Sequence, residues 1–141
     1  KKSVDKPAAY AFSASQTELI ALLKRHRFEM LTLKGDQQVL TQTYQVKHVN
    51  DGIDEEKHTY LVDLDMTVGT ERLQSGTVIV PVDGAASNLV PLLLEPESTW
   101  GIVATRSAGG HRFDSFLTEG EPYPVKRLLS IEQLETVKPG D

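Results

Sequence analysis

The sequence predicts an α+β domain that is mainly antiparallel β, a sandwich-like sheet with two short helices, and three observations lead there. Over residues 60 to 68, Tyr60, Val62, Leu64, Met66 and Val68 fall on one face while Asp63, Asp65 and Thr67 fall on the other, the pattern of a strand with one dry and one wet side. Helical spacing occurs in only two short stretches, near residues 16 to 26 and 87 to 94. Turn-forming residues punctuate the remaining β-prone runs, and no internal repeat or low-complexity segment interrupts them.

In chain order, residues 1 to 9 are polar with Pro7 and read as a linker. Ser15-Gln16-Thr17-Glu18 has the form of a capping box, with Ser15 expected to accept the Glu18 backbone N–H. Behind it Leu19, Ile20, Leu22 and Leu23 make an apolar stripe, and Lys24, Arg25 and His26 place positive charge at the helix C-terminus. Residues 28 to 33 read as a strand ending in the turn Lys34-Gly35-Asp36. From Gln38 the period becomes two, with a strand expected to about Val49 and a turn at Asn50-Asp51-Gly52. Residues 70 to 73 and 77 to 82 suggest a further hairpin around Gln74-Ser75-Gly76, with Pro81 at a strand end. Residues 87 to 94 read as the second helix, Pro91 being tolerable in its first turn, and residues 125 to 129 as a last strand. Residues 10 to 130 are therefore expected to form one domain, with 131 to 141 as a C-terminal tail.

Fifteen Lys and Arg against twenty Asp and Glu leave a net charge of −5 on 141 residues, which argues against a nucleic-acid surface. The absence of cysteine excludes thiol nucleophiles, redox pairs and Cys-ligated metal from this chain, and 141 residues suffice for a core without disulfides. No run approaches the roughly 18 apolar residues of a spanning helix. The start at Lys1-Lys2-Ser3, with no Met and no apolar stretch behind the lysines, reads as a piece of a longer polypeptide or as a trimmed chain.

Several constellations could carry chemistry. His26 and Glu29 have a His-x-x-Glu spacing, repeated as His111 and Asp114; a catalytic zinc would need a third ligand such as His48, His58 or His111. The alternative is a helix-terminal cation beside a solvated carboxylate. Asp63 and Asp65 could serve as a glycosidase pair, or be the wet face of their strand. Asp51, Asp54, Glu55 and Glu56 could hold calcium but lack EF-hand spacing, and fit a solvated acidic loop. Residues 107 to 111 are small and Gly-rich without a phosphate-binding signature. Trp100, Tyr10, Tyr123 and Phe113 could line a glycan or peptide groove, or anchor a core.

One family resemblance stands beside these readings. Thr77-Val78-Ile79-Val80-Pro81-Val82-Asp83, then Leu92-Leu93-Leu94-Glu95-Pro96-Glu97-Ser98 and Trp100-Gly101, resemble the region that follows the catalytic domain in bacterial zinc carboxypeptidases of the carboxypeptidase A (M14) type. Phe113-Asp114, Phe116-Leu117 and residues 121 to 128 are similar to the closing segment of that region, and Ala9-Tyr10, Leu22-Leu23 and His26 to its beginning. The resemblance implies a non-catalytic accessory domain, in a secreted (periplasmic or extracellular) peptide-hydrolysing metalloprotease, that packs on its catalytic domain or restricts access to it. It implies no catalytic or metal-binding residue in this segment, zinc residing in the parent catalytic domain, and argues against His26 and Glu29 as ligands. The expected partner is that catalytic domain, with no nucleic acid and no membrane span. Candidate contact residues are Trp100, Arg112, Phe113 and Tyr123, since aromatics and Arg dominate interface hot spots. Two rivals remain: a stand-alone glycan or cell-surface binding module using the same aromatics, and a minimal metalloenzyme built on His26, Glu29 and His111.

Overall fold

The computed structural model describes residues 7–54, 59–82, 89–94 and 120–138. They run β1 (Ala9–Phe12), α1 (Thr17–Arg25), β2 (Leu31–Leu33), β3 (Gln37–Asp54), β4 (Thr59–Leu73), β5 (Val78–Pro81), α2 (Leu89–Leu94), β6 (Lys126–Leu128) and β7 (Thr136–Val137). The strands form one seven-stranded antiparallel sheet in the order β4-β3-β6-β1-β5-β2-β7. The mainly antiparallel β class with short helices is thus the observed one. Among the described residues no helix is long and apolar enough to cross a membrane.

The sequence Ala-Tyr-Ala-Phe explains why β1 sits near the sheet centre, between β6 and β5, although residues up to 9 read as linker. All four residues are buried because both faces of this strand are covered. Tyr10 and Phe12 enter a large core with Leu19, Leu22 and Leu23 of α1, Val90 and Leu94 of α2, and Tyr44, Val46, Val80 and Tyr123. Ala9 and Ala11 enter a smaller core with Leu33, Val39, Leu73, Ile79 and Leu128, against which Ile131 and Leu134 pack. Residues 131 to 134 therefore cover a face, and residues 136 and 137, read as tail, add a strand to β2. The Gln37 side chain clasps this last strand, donating to the Lys34 and Glu135 carbonyls at 2.9 and 3.0 Å and accepting the Glu135 N–H at 3.1 Å.

Two expected turns behave differently. Asn50-Asp51-Gly52 lies inside β3, whose pairing with β4 continues to Asp54↔Thr59 and absorbs these residues as a register shift between Val49 and Ile53; a bulge accommodates Gly and Asn without reversing the chain. The turn at 74 to 76 does form, with Gly76 at φ +93° and Thr77 N–H bonded to the Gln74 carbonyl, yet β4 and β5 do not make a hairpin. β5 pairs instead with β1 and β2, because Leu33 accepts the Gly76 N–H and donates to the Thr77 carbonyl. Turn chemistry dictates a reversal and leaves the choice of partner to tertiary contacts.

Helix α1 matches its expected span but not its expected cap. Ser15 does not receive the Glu18 N–H; its hydroxyl lies 2.8 Å from that of Ser13, and Gln16 at the N-cap makes no side-chain bond. Two turn bonds at 13 to 17 occupy the backbone there instead. At the other end Phe28 N–H bonds the Leu23 carbonyl and Arg27 N–H the Lys24 carbonyl, a Schellman closure with Arg27 at φ 62°. Pro91 lies third in α2, within the first turn, where a missing N–H costs no helical bond.

Candidate functional site

The strongest gathering of polar side chains among the described residues lies on the smaller-core face. Thr41 and Thr43 of β3, Glu71 of β4 and Lys126 of β6 are carried there by strand alternation and the β3–β4 register, which sets Glu71 opposite Val39. Glu71 Oε2 accepts from the Thr41 hydroxyl at 2.6 Å and the Thr43 hydroxyl at 3.0 Å, while Oε1 accepts from the Lys126 ammonium. Partial burial pushes the Glu71 carboxyl up, but the bonds from Lys126 and Thr41, the Lys126 charge and the Thr43 bond together hold it below the usual carboxylate range. Beside this group the end of β1, the end of β4 and the 74–77 turn enclose a cleft of about 430 Å³, with Phe12, Ser13, Glu71, Gln74, Thr77 and Lys126 in its wall.

A second charged group fixes the turns at the same end of the sheet. Asp36 accepts the Ser75 backbone N–H at 2.9 Å and the Arg72 guanidinium at 3.2 Å, and these bonds hold its carboxyl below the ordinary value. Gly35, at φ +75°, donates its N–H to the Ser75 hydroxyl at 3.2 Å. The cluster thus consists of carboxylates committed to donors. A carboxylate poised as a general acid needs the opposite shift, upward toward neutral pH. Chemically the cleft offers hydroxyls, an amide and a fixed ion pair, which suits recognition rather than proton transfer.

The sequence-derived candidates are dispersed. His26 stacks on Phe28 with ring centroids 6.0 Å apart, and the left-handed Arg27 between His26 and Glu29 breaks the helical spacing that would aim both at one ion. No three His, Asp or Glu side chains converge among the described residues. Backbone pairing sets His48 opposite Asp63, while His58, His111 and Asp114 lie outside the described residues. Asp65 pairs with Lys47 at 3.1 Å on an exposed face, as expected for the wet side of its strand. Asp51 and Asp54 are in β3 instead of a loop; Glu55 and Glu56 are outside the described residues.

Of the expected contact residues, Trp100, Arg112 and Phe113 lie outside the described residues, as does the stretch 107 to 111. Tyr123 is a core residue: its ring meets Tyr44 edge-on at 6.3 Å and its hydroxyl donates to the Leu94 carbonyl at 2.6 Å. The position beside β3 puts its ring indoors, so it presents no side chain for docking. Tyr10 is interior as well. Glu71 and Lys126 escaped the sequence reading because they are distant in the chain, and only strand register unites them; the alternating Thr41 and Thr43 were the sole local sign of a polar stripe.

A further surface feature sits on the opposite face. Leu40 of β3 and Met66 and Val68 of β4 are exposed, side by side with the large core but beyond it; Val68 reaches 55%. Against this geometry, no family model, no curated protein and no solved structure matches the chain.

Proposed function

We propose that this chain is a non-catalytic accessory domain of an M14-like zinc carboxypeptidase, packing on the catalytic domain of the same polypeptide or restricting access to its cleft. The observation that supports a non-catalytic role is the state of the gathered carboxylates. Glu71 and Asp36 are saturated with donors and held ionised, as struts of the sheet, and Asp65 is tied to Lys47. The identity of the partner rests on the resemblance of residues 77 to 128 to the region after an M14 catalytic domain. Trp100, Arg112 and Phe113 remain the contact residues of this reading, and zinc belongs to the parent.

The experiment compares C-terminal release of amino acids from peptides by the full-length parent and by residues 1 to 141 alone. Activity in the parent that zinc chelation removes, with none in the isolated chain, is the expected result. Zinc-dependent hydrolysis by residues 1 to 141, or a parent without peptidase activity, would overturn it.

A further inference from the structure

The cleft between the ends of β1 and β4, at about 430 Å³, falls within the roughly 300–1,000 Å³ of small-ligand sites. Its charges cancel. Lys126 is bound to Glu71, and Arg72 to Asp36 at 3.2 Å just outside the wall, so neither an anion nor a cation finds an uncompensated charge there. Its hydrogen-bonding capacity does not cancel. A lysine ammonium carries three donors; among the described residues Lys126 gives one, to Glu71 Oε1, and its side chain remains 28% exposed. The Glu71 carboxylate is filled by three bonds. In the same wall the Gln74 amide is exposed and makes no side-chain bond among the described residues. The aromatic ring of the wall, Phe12, is 2% exposed and offers no face on which a sugar or a base could stack.

We propose that this cleft binds an uncharged peptide segment through its main-chain amides. The Lys126 ammonium donates to a peptide carbonyl, and the Gln74 amide accepts the N–H and donates to the carbonyl of a neighbouring peptide group.

A peptide unit matches the cleft in each respect. It is neutral, it presents a strong acceptor for the spare ammonium donors, and it brings an N–H that the Gln74 carbonyl can take. A carboxylate bound to Lys126 would instead lie beside that of Glu71, and like charges so close repel. The inference rests on the cleft and is independent of the carboxypeptidase reading, because binding is measured on residues 1 to 141 alone and without hydrolysis.

The test is an NMR titration of the isotope-labelled chain with acetyl-Gly-Ser-Gly-Ser-amide, a peptide without charge. Saturable amide shifts are expected at Ser13, Gly76, Thr77 and Lys126, and none on adding maltotriose, which has hydroxyls but no amide. Lys126→Met should weaken the peptide about tenfold, the scale of a hydrogen bond from a charged donor. Glu71→Gln breaks the same ion pair but keeps the ammonium, so it should bind the peptide at least as tightly as the unsubstituted chain. Gln74→Ala, at an exposed turn position, should weaken binding severalfold and leave the circular dichroism spectrum unchanged. The proposal is overturned by no saturable shift with the peptide, by equal shifts with maltotriose, or by tighter binding of the same peptide as a free acid. Equal loss of affinity in Lys126→Met and Glu71→Gln, or full affinity in Gln74→Ala, would overturn it as well.

Discussion

Glu71 shows how one side chain joins three strands. It receives hydroxyls from β3 and an ammonium from β6 while belonging to β4, and the buried Thr41 makes its shorter hydroxyl bond to it, at 2.6 Å against 3.4 Å to the Gly69 carbonyl. Glu71→Gln leaves Lys126 without its counter-charge, and we expect a loss of about 1–2 kcal/mol in urea unfolding, the scale of a charged hydrogen bond partly open to solvent. The pH dependence has a definite sign. Glu71 and Asp36 are held below their ordinary values in the folded chain, so the unfolded chain binds their protons first as pH falls. Their stabilisation is complete above the ordinary carboxylate range of about 4–4.5 and is lost as pH drops through the folded values. Melting temperature should therefore fall more steeply below that range in the unsubstituted chain than in a Glu71→Gln, Asp36→Asn double variant. Parallel acid limbs would contradict this assignment. None of it was visible in the sequence, where Glu71 is one acidic residue among twenty; the ordinary signals of motif reading pointed to His26, which the αL turn at Arg27 separates from Glu29.

At the scale of elements, periodicity was informative and partners were not. The Leu19, Leu22 and Leu23 stripe located α1 because helical spacing is a property of nine consecutive residues, and the alternation around Leu64 located β4 for the same reason. The caps depended on details that spacing does not carry. Arg27 occupies the left-handed position after α1 that glycine normally fills. Arg27→Gly should consequently stabilise the chain by roughly 0.5–1 kcal/mol, read as a higher urea midpoint at unchanged slope. Gly76→Ala should do the reverse by a comparable amount, since its neighbourhood is open and only the positive φ resists a side chain. A result in which Gly76→Ala is neutral would show that the 74–76 turn relaxes without disturbing the Leu33 bonds.

Across the whole molecule, the sheet is assembled from distant pieces. Ala9 pairs with both Pro81 and Leu128, so the middle of the sheet exists only after most of the chain is present. Such non-local pairing places folding in the range of milliseconds to seconds, which stopped-flow refolding of residues 1 to 141 would check; microsecond folding would be incompatible with this topology. Long-range pairing is also why the strand order was illegible: residues 9 to 12 have too few positions to declare a period, and residues 136 and 137 fewer still.

The Ala-Tyr-Ala-Phe strand contributes its odd residues to one core and its even residues to the other. Two interiors that share a strand cannot melt separately, because losing either strips one side of β1 and exposes the other. Heat should thus convert the chain in a single event, with calorimetric and van't Hoff enthalpies in agreement. The same sharing narrows the space of tolerated change. A substitution in either interior is felt in both, so repacking of one must be matched by the other, and four residues near the N-terminus hold the two halves to a common fate.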